Sequence, residues 1–187
     1  KGGTTITSFD ELQYFTGLIS IGINAFWYCR NMTSIVIPNS VTRIEYDAFY
    51  KCSSLTTINI PNTVTSIGNF AFSNCTGLTS VSIPNSVTYI GDGAFISCTS
   101  LTSIYIPNPV TTIGTNPFRR CSSIEQIIVD IGNKVYDSRN NCNAIVKTSS
   151  NELIAGCKNT VIPNEATSIL EYAFADCTEL NSIEIPN

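Results

Sequence analysis

The sequence predicts a repeat solenoid with a 23-residue period, in which each repeat forms one coil stacked on the one before it. Two observations predict this fold. Cysteines recur every 23 residues, and each ends an Ile-Gly-x-x-Ala-Phe-x-x-Cys segment that varies little: Cys29, Cys52, Cys75, Cys98 and Cys121. A Leu-x-x-Ile-x-Ile-Pro-Asn segment, also with few substitutions, follows each cysteine. A fixed period of about 20–50 residues is typical of stacked repeat architectures.

Within each coil, the Leu-x-x-Ile-x-Ile stretch alternates as a half-buried strand does. In the second coil, Leu55, Ile58 and Ile60 would point inward, and Thr57 and Asn59 would point outward. The proline that follows ends the strand because it has no N–H to donate. The Ala-Phe-x-x-Cys spacing suits one turn of α- or 3₁₀-helix. The prediction is therefore a parallel sheet on one face and short helical turns opposite.

Residues 1–20 precede the period and are predicted to be an N-terminal cap on a solenoid that spans residues 21–187. Ser8 and Glu11 have the spacing of a capping box, which marks the start of a helix. The apolar residues after them could form one face of a short helix: Leu12, Tyr14 and Phe15. Such a helix would cover the apolar edge of the first coil. The alternative is a helix that docks on a partner.

The period is interrupted at about residues 130–160, and the regular pattern resumes at Ile169. Two short apolar segments, 144–147 and 152–155, flank a polar stretch and are predicted to form a β-hairpin. We interpret the interruption as one elongated repeat whose hairpin protrudes from the solenoid. The chain as a whole is predicted to be a single domain.

The cysteines of the period are predicted to be buried free thiols. Stacked coils place neighbouring sulfurs about 4.8 Å apart with parallel Cβ directions, whereas a disulfide requires Cβ atoms about 3.8 Å apart. Cys142 and Cys157 differ because they flank the hairpin strands. In a symmetric hairpin they would face each other within about 4.5–5.5 Å. One disulfide or a pair of buried thiols is compatible with this spacing.

The composition excludes several classes of function. The chain has no His, so Ser-His and Cys-His nucleophile pairs are excluded. It also lacks a Cys-x-x-Cys pair and a Gly-rich phosphate loop. We therefore expect no enzymatic activity, no metal and no cofactor. The net charge of −4 argues against a nucleic-acid partner, and no apolar run approaches the roughly 20 residues of a membrane helix.

Two surfaces are candidate ligand sites. The first is the row of residues between the two isoleucines of each strand: Val36, Asn59, Ser82, Tyr105, Ile128 and, after the interruption, Glu184. This row varies while the framework stays constant, as expected of a scaffold with a tailored binding face. Drift at exposed positions would give the same pattern.

The second candidate is an aromatic group near the N-terminus: Trp27, Tyr28 and Tyr50, with Tyr46 nearby in sequence. Exposed Trp and Tyr are enriched in binding anchors, and flat rings could stack on sugar rings. The alternative is that these side chains cover the predicted cap helix.

The recurring Ile-Gly-x-x-Ala-Phe-x-x-Cys and Leu-Thr-x-Ile-x-Ile-Pro-Asn segments resemble those of the BspA-type bacterial leucine-rich repeats. The resemblance extends over nearly all of residues 21–187. The interrupted segment, at 136–145 and 154–160, is similar to an insert in such proteins from gut Bacteroides. The resemblance implies a leucine-rich-repeat solenoid that is secreted or attached to the cell surface. It also implies adhesion to host matrix proteins or other cells, and it carries no catalytic residues.

The expected function is therefore a non-catalytic extracellular recognition domain that binds a protein partner through its outward strand positions. One alternative is a carbohydrate-binding module that uses Trp27, Tyr28 and Tyr50. Another is a passive spacer within a larger surface protein.

Overall fold

Neighbouring coils stack because their strands pair in parallel with residues one period further along the chain. Thr57, for example, lies opposite Ser80. The structure, a computed structural model, describes residues 5–178, 180 and 183. Its stacked coils confirm the predicted repeat solenoid and its period.

The predicted strands form along one face of the coils, and we call them the front strands. They are β3 (Ser34–Ile35), β5 (Thr57–Asn59), β7 (Ser80–Ser82), β9 (Ser103–Ile106) and β11 (Gln126–Val129). An additional strand, β1 (Ser8–Phe9), pairs with β3, while β5 pairs with β7 and β9 with β11. Exposed and buried positions alternate along β9 and β11, as in a half-buried strand.

A second sheet, which the sequence analysis did not predict, stacks along another wall of the solenoid. Its five parallel strands are β2 (Ser20–Ile21), β4 (Arg43–Ile44), β6 (Ser66–Ile67), β8 (Tyr89–Ile90) and β10 (Thr112–Ile113). Each strand has only two residues, so no alternating run marks it in the sequence. The backbone pairing between coils is therefore more extensive than one sheet would provide.

The wall that contains the Ala-Phe-x-x-Cys segments consists of consecutive β-turns rather than the predicted helical turns. In the first coil, the Trp27 amide donates to Asn24 O within the coil, whereas the Phe26 amide donates to Ala48 O of the next coil. This alternation uses a positive φ at Asn24 (57°) and at Tyr28 (61°). A regular helix would direct all of these amides along its own axis, so it could not bind the neighbouring coil.

Identical side chains form columns inside the coils. The phenylalanine rings stack with centroids 5.2–5.6 Å apart: Phe26, Phe49, Phe72, Phe95 and Phe118. The repeat cysteines are buried free thiols, as predicted. Four of them donate to the phenylalanine carbonyl of the preceding coil at 3.0–3.2 Å: Cys52, Cys75, Cys98 and Cys121. Each cysteine thus fills space and also bonds adjacent coils to each other.

A two-residue strand and a five-residue 3₁₀ helix replace the predicted N-terminal helical cap. Ser8 lies in strand β1 instead of capping a helix, and a 3₁₀ helix, Asp10–Tyr14, follows without a side-chain cap. Leu12 is buried, but Tyr14 and Phe15 are exposed. The reason is that β1 extends the front strands by pairing with β3. Backbone hydrogen bonds thereby cover the edge of the first coil, which the predicted helix could not do.

The interrupted segment contains the predicted hairpin, but the hairpin does not protrude. Its strands are β13 (Ala144–Lys147) and β14 (Glu152–Gly156), flanked by β12 (Tyr136–Asp137) and β15 (Ser168–Ile169), with a 3₁₀ helix at Arg139–Asn141. Ala144, Ile145, Val146 and Leu153 are fully buried. Three consecutive buried residues in β13 require cover on both faces, so the hairpin lies within the stack. Strand β14 then pairs in parallel with β15.

No disulfide joins Cys142 and Cys157, which are both buried free thiols. A β-bulge between Ile145 and Val146 shifts the hairpin register by one residue. The symmetric pairing that would place the two cysteines opposite each other is therefore lost. They also pack in different places: Cys142 in a small cluster beside the hairpin and Cys157 in the main core.

Candidate functional site

The outward positions of the front strands form one exposed row, which we call the strand face. Its residues are Val36, Asn59, Ser82, Tyr105 and Ile128, and each is exposed. They point outward because their strand neighbours on both sides point into the core. Glu184, the last residue of the predicted row, lies outside the described residues. The use of this row as a binding site remains a prediction.

The strand face is most apolar at its last two described positions. Tyr105 and Ile128 lie opposite each other in the pairing of β9 with β11, and their exposed fractions are 44% and 39%. The Tyr105 hydroxyl donates to the Asp130 carboxylate, which raises the pKa of Tyr105 and lowers that of Asp130. Ile131, which the sequence analysis did not single out, is fully exposed. The hydrogen bond orients the Tyr105 ring next to an exposed aliphatic side chain.

Three of the four predicted aromatic residues form one cluster, which we call the aromatic cluster. The Trp27 ring lies 3.9 Å from the Tyr28 ring and 6.4 Å from the Tyr50 ring, measured between centroids. Tyr46 is not part of it and packs edge-on against Phe70 instead. Trp27 is exposed, whereas Tyr28 and Tyr50 are half-buried. Trp27 and Tyr50 occupy equivalent positions of the first two coils, so stacking brings them together, and Tyr28 follows Trp27 in the chain.

Two cations lie over the aromatic cluster. The Lys51 ammonium is 4.8 Å from the centroid of Tyr28 and 5.3 Å from that of Tyr50, and the Arg30 guanidinium is 4.8 Å from Tyr28. Lys51 Nζ also donates to the Tyr28 hydroxyl at 2.9 Å. This bond lowers the pKa of Tyr28 and raises the pKa of Lys51. Part of the ring surface is therefore already covered by cations.

The structure also contains a cavity of about 490 Å³ where the period is interrupted. One wall is the end of the second sheet, and the other is the hairpin with the last coil. The lining residues are Asp92, Ile113, Gly114, Thr115, Asn116, Tyr136, Lys147, Glu152, Ile154, Leu170 and Glu171. The volume is within the usual range for small-ligand sites, about 300–1,000 Å³. This cavity was not predicted from the sequence, because its walls come from segments that are distant in the chain.

The metal-ligand side chains of the described residues are dispersed, and the repeat thiols are buried. Within the described part of the chain, no three His, Cys, Asp or Glu side chains are grouped closely enough to hold a metal ion. The repeat thiols are buried, and burial raises the pKa of Cys75 to about 12, so this thiol is a poor nucleophile. None of the described helices is both long and apolar enough to cross a membrane.

Comparison with known proteins relates this geometry to bacterial repeat proteins. The chain is 32% identical to a leucine rich cell surface protein from Faecalibacterium prausnitzii A2-165, with a TM-score of 0.76 over 90% of this chain and 52% of that chain. It is 33% identical to a leucine-rich repeat protein from Bacteroides ovatus ATCC 8483, with a TM-score of 0.67 over 90% and 41% of the two chains. A Leucine Rich Repeat protein of T. pallidum is 28% identical, with a TM-score of 0.67 over 87% and 72%.

The chain thus spans about half the length of the F. prausnitzii protein. Comparison with curated proteins finds no match. A family model described as the BspA type leucine rich repeat region matches six copies over residues 19–145 and 150–187. Because these matches cover most of the chain in the register of the stacked coils, the chain belongs to the BspA-type leucine-rich repeat family.

Proposed function

We propose that this domain is a non-catalytic recognition module, extracellular or at the cell surface, that binds a protein partner through the strand face. The observation that carries the proposal is the pairing of two exposed apolar side chains, Tyr105 and Ile128, on adjacent front strands. Exposed tyrosine beside aliphatic surface is typical of the centre of protein interfaces. The partner class we infer is a host matrix protein or another cell-surface protein.

The rigidity of the strand face supports this function. Tyr105 is held by Asp130, and the backbone beneath it is paired residue by residue with the next strand. A side chain that is ordered before binding loses less conformational entropy when a partner covers it. The surface location is supported by the F. prausnitzii relative, whose description is a leucine rich cell surface protein.

The test is binding of the purified domain to immobilised collagen, fibronectin and laminin, with single substitutions on the strand face. We expect Tyr105→Ala to weaken binding by about tenfold or more, as for an interface anchor, and Ile128→Ala to weaken it less. Tyr105→Phe keeps the ring but removes the hydroxyl that donates to Asp130, so it shows how much of the binding depends on that hydroxyl. Asn85→Ala, an exposed change outside the strand face, is the matched control.

A carbohydrate-binding function of the aromatic cluster is the second candidate. It is favoured by the nearly parallel planes of Trp27 and Tyr50, which differ by 14°. On a glycan array, loss of binding with Trp27→Ala and not with Tyr105→Ala would favour this candidate. Absence of binding in both assays would favour a passive spacer.

A further inference from the structure

The cavity lies beside β10, in the position that a sixth strand of the second sheet would occupy. In each of the first four coils, two backbone groups bind the next coil in the same way. In the second coil, for example, Ile44 O accepts from Gly68 N at 2.7 Å, and Asp47 N donates to Asn69 O at 3.1 Å. The same two bonds recur at Ile21 and Asn24, at Ile67 and Phe70, and at Ile90 and Gly93. Each coil therefore presents one acceptor and one donor to two consecutive residues of its neighbour.

The fifth coil presents the same two groups to the cavity. The equivalent acceptor is Ile113 O and the equivalent donor is Asn116 N, and both residues line the cavity. Among residues 5–178, 180 and 183, no hydrogen bond satisfies either of these two groups. The coil-to-coil bond resumes beyond the cavity, where Leu170 N donates to Leu153 O at 2.9 Å.

The Tyr136 hydroxyl replaces only one of the hydrogen bonds that an additional strand of the second sheet would make with β10. The Ile113 amide donates to Tyr136 Oη at 3.0 Å. Tyr136 is 95% buried, given an exposed fraction of 5%, and it lines the cavity. Its hydroxyl accepts this bond, and its own proton has no acceptor within the described part of the chain. The hydroxyl is thus a buried donor available to a ligand.

We propose that this cavity binds a short extended peptide segment that carries a basic side chain. Two consecutive residues of the segment take the places that Gly114 and Thr115 occupy on the fourth coil, where Gly114 N donates to Ile90 O and Thr115 O accepts from Gly93 N. One peptide N–H donates to Ile113 O, and the next peptide C=O accepts from the Asn116 amide. Addition of a strand to an unpaired edge is a common mode of peptide recognition.

The charges around the cavity select the side chain. Three carboxylates line it, those of Asp92, Glu152 and Glu171, against one ammonium, that of Lys147. Asp92 already accepts from Thr115, and Glu152 accepts from Ser150. Glu171 makes no ion pair or side-chain hydrogen bond with another described residue. A Lys or Arg side chain on the peptide would supply the missing positive charge.

The apolar part of the lining suits the same side chain. Ile113, Ile154 and Leu170 contribute aliphatic surface beside the carboxylates. Lys and Arg have long aliphatic stems that pack on such surface while the charged group reaches a polar rim. This site is separate from the strand face, so binding here neither requires nor tests the proposed function of that face.

Solution NMR of the ¹⁵N-labelled domain can test the proposal with the capped tripeptide acetyl-Gly-Lys-Gly-amide. We expect saturable chemical-shift changes centred on the amides of residues 113–116. Glu171→Gln should weaken binding by about two- to fivefold, as for one exposed ion pair. Glu11→Gln, in the N-terminal 3₁₀ helix, is the control and should have no effect. N-methylation of the peptide amide that donates to Ile113 O should weaken binding by about tenfold.

Several results would overturn the proposal. Equal binding of acetyl-Gly-Glu-Gly-amide would show that charge does not select the ligand. Binding of free cadaverine as tight as that of the tripeptide would exclude recognition of the peptide backbone. Insensitivity to N-methylation at every position would do the same, and shift changes away from residues 113–116 would place the site elsewhere.

Discussion

The regular coils and the interrupted segment satisfy their backbone groups in different ways. In the coils, each wall binds the equivalent wall one period later, so equivalent positions of the repeat meet and the same hydrogen bonds recur. After β11, side chains replace several of these bonds. Buried Asn133 donates to Pro107 O and Val110 O, both at 3.0 Å, and accepts from the amides of Val135 and Tyr136, both at 2.9 Å.

This difference shows where a solenoid can acquire a specific site. In the regular coils, equivalent backbone groups form the same hydrogen bonds with the neighbouring coil, as Ile44 O does with Gly68 N and Ile67 O with Gly91 N. Where the repetition stops, side chains such as those of Asn133 and Tyr136 satisfy only some of the groups. The remaining backbone edge at Ile113 and the cavity beside it are consequences of that substitution. The following predictions test how differently the two regions are stabilised.

The largest effect is expected in the phenylalanine column. Phe72 is fully buried and stacks on two rings, Phe49 at 5.2 Å and Phe95 at 5.3 Å. Phe72→Ala should lower the free energy of unfolding by about 3–5 kcal/mol. Phe118, at the boundary of the interrupted segment, stacks on Phe95. Phe118→Ala should cost about 1 kcal/mol less, because one ring pair is lost instead of two.

Urea denaturation followed by circular dichroism measures both variants of the phenylalanine column. An equal loss in the two variants would show that the ring stack does not distinguish the middle of the column from its end.

The next largest effect is expected at Asn133, whose side chain makes four hydrogen bonds. Asn133→Ala should lower the free energy of unfolding by about 2–3 kcal/mol, because buried backbone groups lose their partners. Asn62→Ala removes an exposed asparagine of a regular coil and should change stability by less than about 0.5 kcal/mol. Thermal melts and urea titrations of both variants provide the comparison. A neutral Asn133→Ala would mean that the interrupted segment does not depend on this side chain.

A dependence on alkaline pH is expected from the buried thiols of the regular coils. Burial raises the pKa of Cys75 to about 12, whereas an unfolded thiol ionises near 8.5. The folded state therefore keeps a proton that the unfolded state loses, and stability falls as the pH rises from about 8.5 toward 12. Each such thiol contributes about 1.4 kcal/mol per pH unit in that interval.

Cys75→Ala should reduce the steepness of this pH dependence by the contribution of one proton. Urea titrations between pH 7 and 10 measure it. Cys177→Ala removes a half-buried thiol whose pKa burial also raises, so it should reduce the slope less than Cys75→Ala does. An unchanged slope in Cys75→Ala would contradict the assignment of the alkaline loss to the thiol column.

The smallest effect is expected at an ion pair that spans the interruption. Arg120 Nε lies 3.3 Å from Asp176 Oδ2, and both side chains are about half exposed. Water and salt screen such a pair, so Arg120→Ala should change the free energy of unfolding by less than about 0.5 kcal/mol. The difference should shrink further in 0.5 M NaCl, a condition in which the Debye length falls to about 4 Å. A loss above 1 kcal/mol would mean that this pair holds the last coil in place.

Much of the fold could be predicted because the same short residue pattern recurs in every coil. The inward isoleucines, the thiol column and the two hairpin strands were all predicted from local pattern. The second sheet was missed because two-residue strands such as Thr112–Ile113 have no alternation to detect. The turn wall was mistaken for helix because spacing alone does not reveal the positive φ of residues such as Asn24 and Tyr28.

The candidate sites also differ in whether a local sequence pattern predicts them. The outward direction of Tyr105 and Ile128 was predicted from strand alternation, whereas the stacking of Trp27 near Tyr50 was seen only in the structure. The cavity could not be predicted, because its walls come from the fifth coil, the hairpin and the last coil. Residues such as Ile113 and Glu171 are 58 positions apart in the chain. No local pattern relates them.

The period, the inward columns and the outward rows can be read from the amino-acid sequence alone, because short-range spacing repeats in every coil. Three features require the folded chain: the hairpin lies within the stack, Cys142 and Cys157 are not opposed, and the edge of the second sheet at β10 is left open. The β-bulge removes the opposition of the two cysteines, and burial of both faces of β13 places the hairpin within the stack. These three features are decided by long-range packing that occurs once in the molecule.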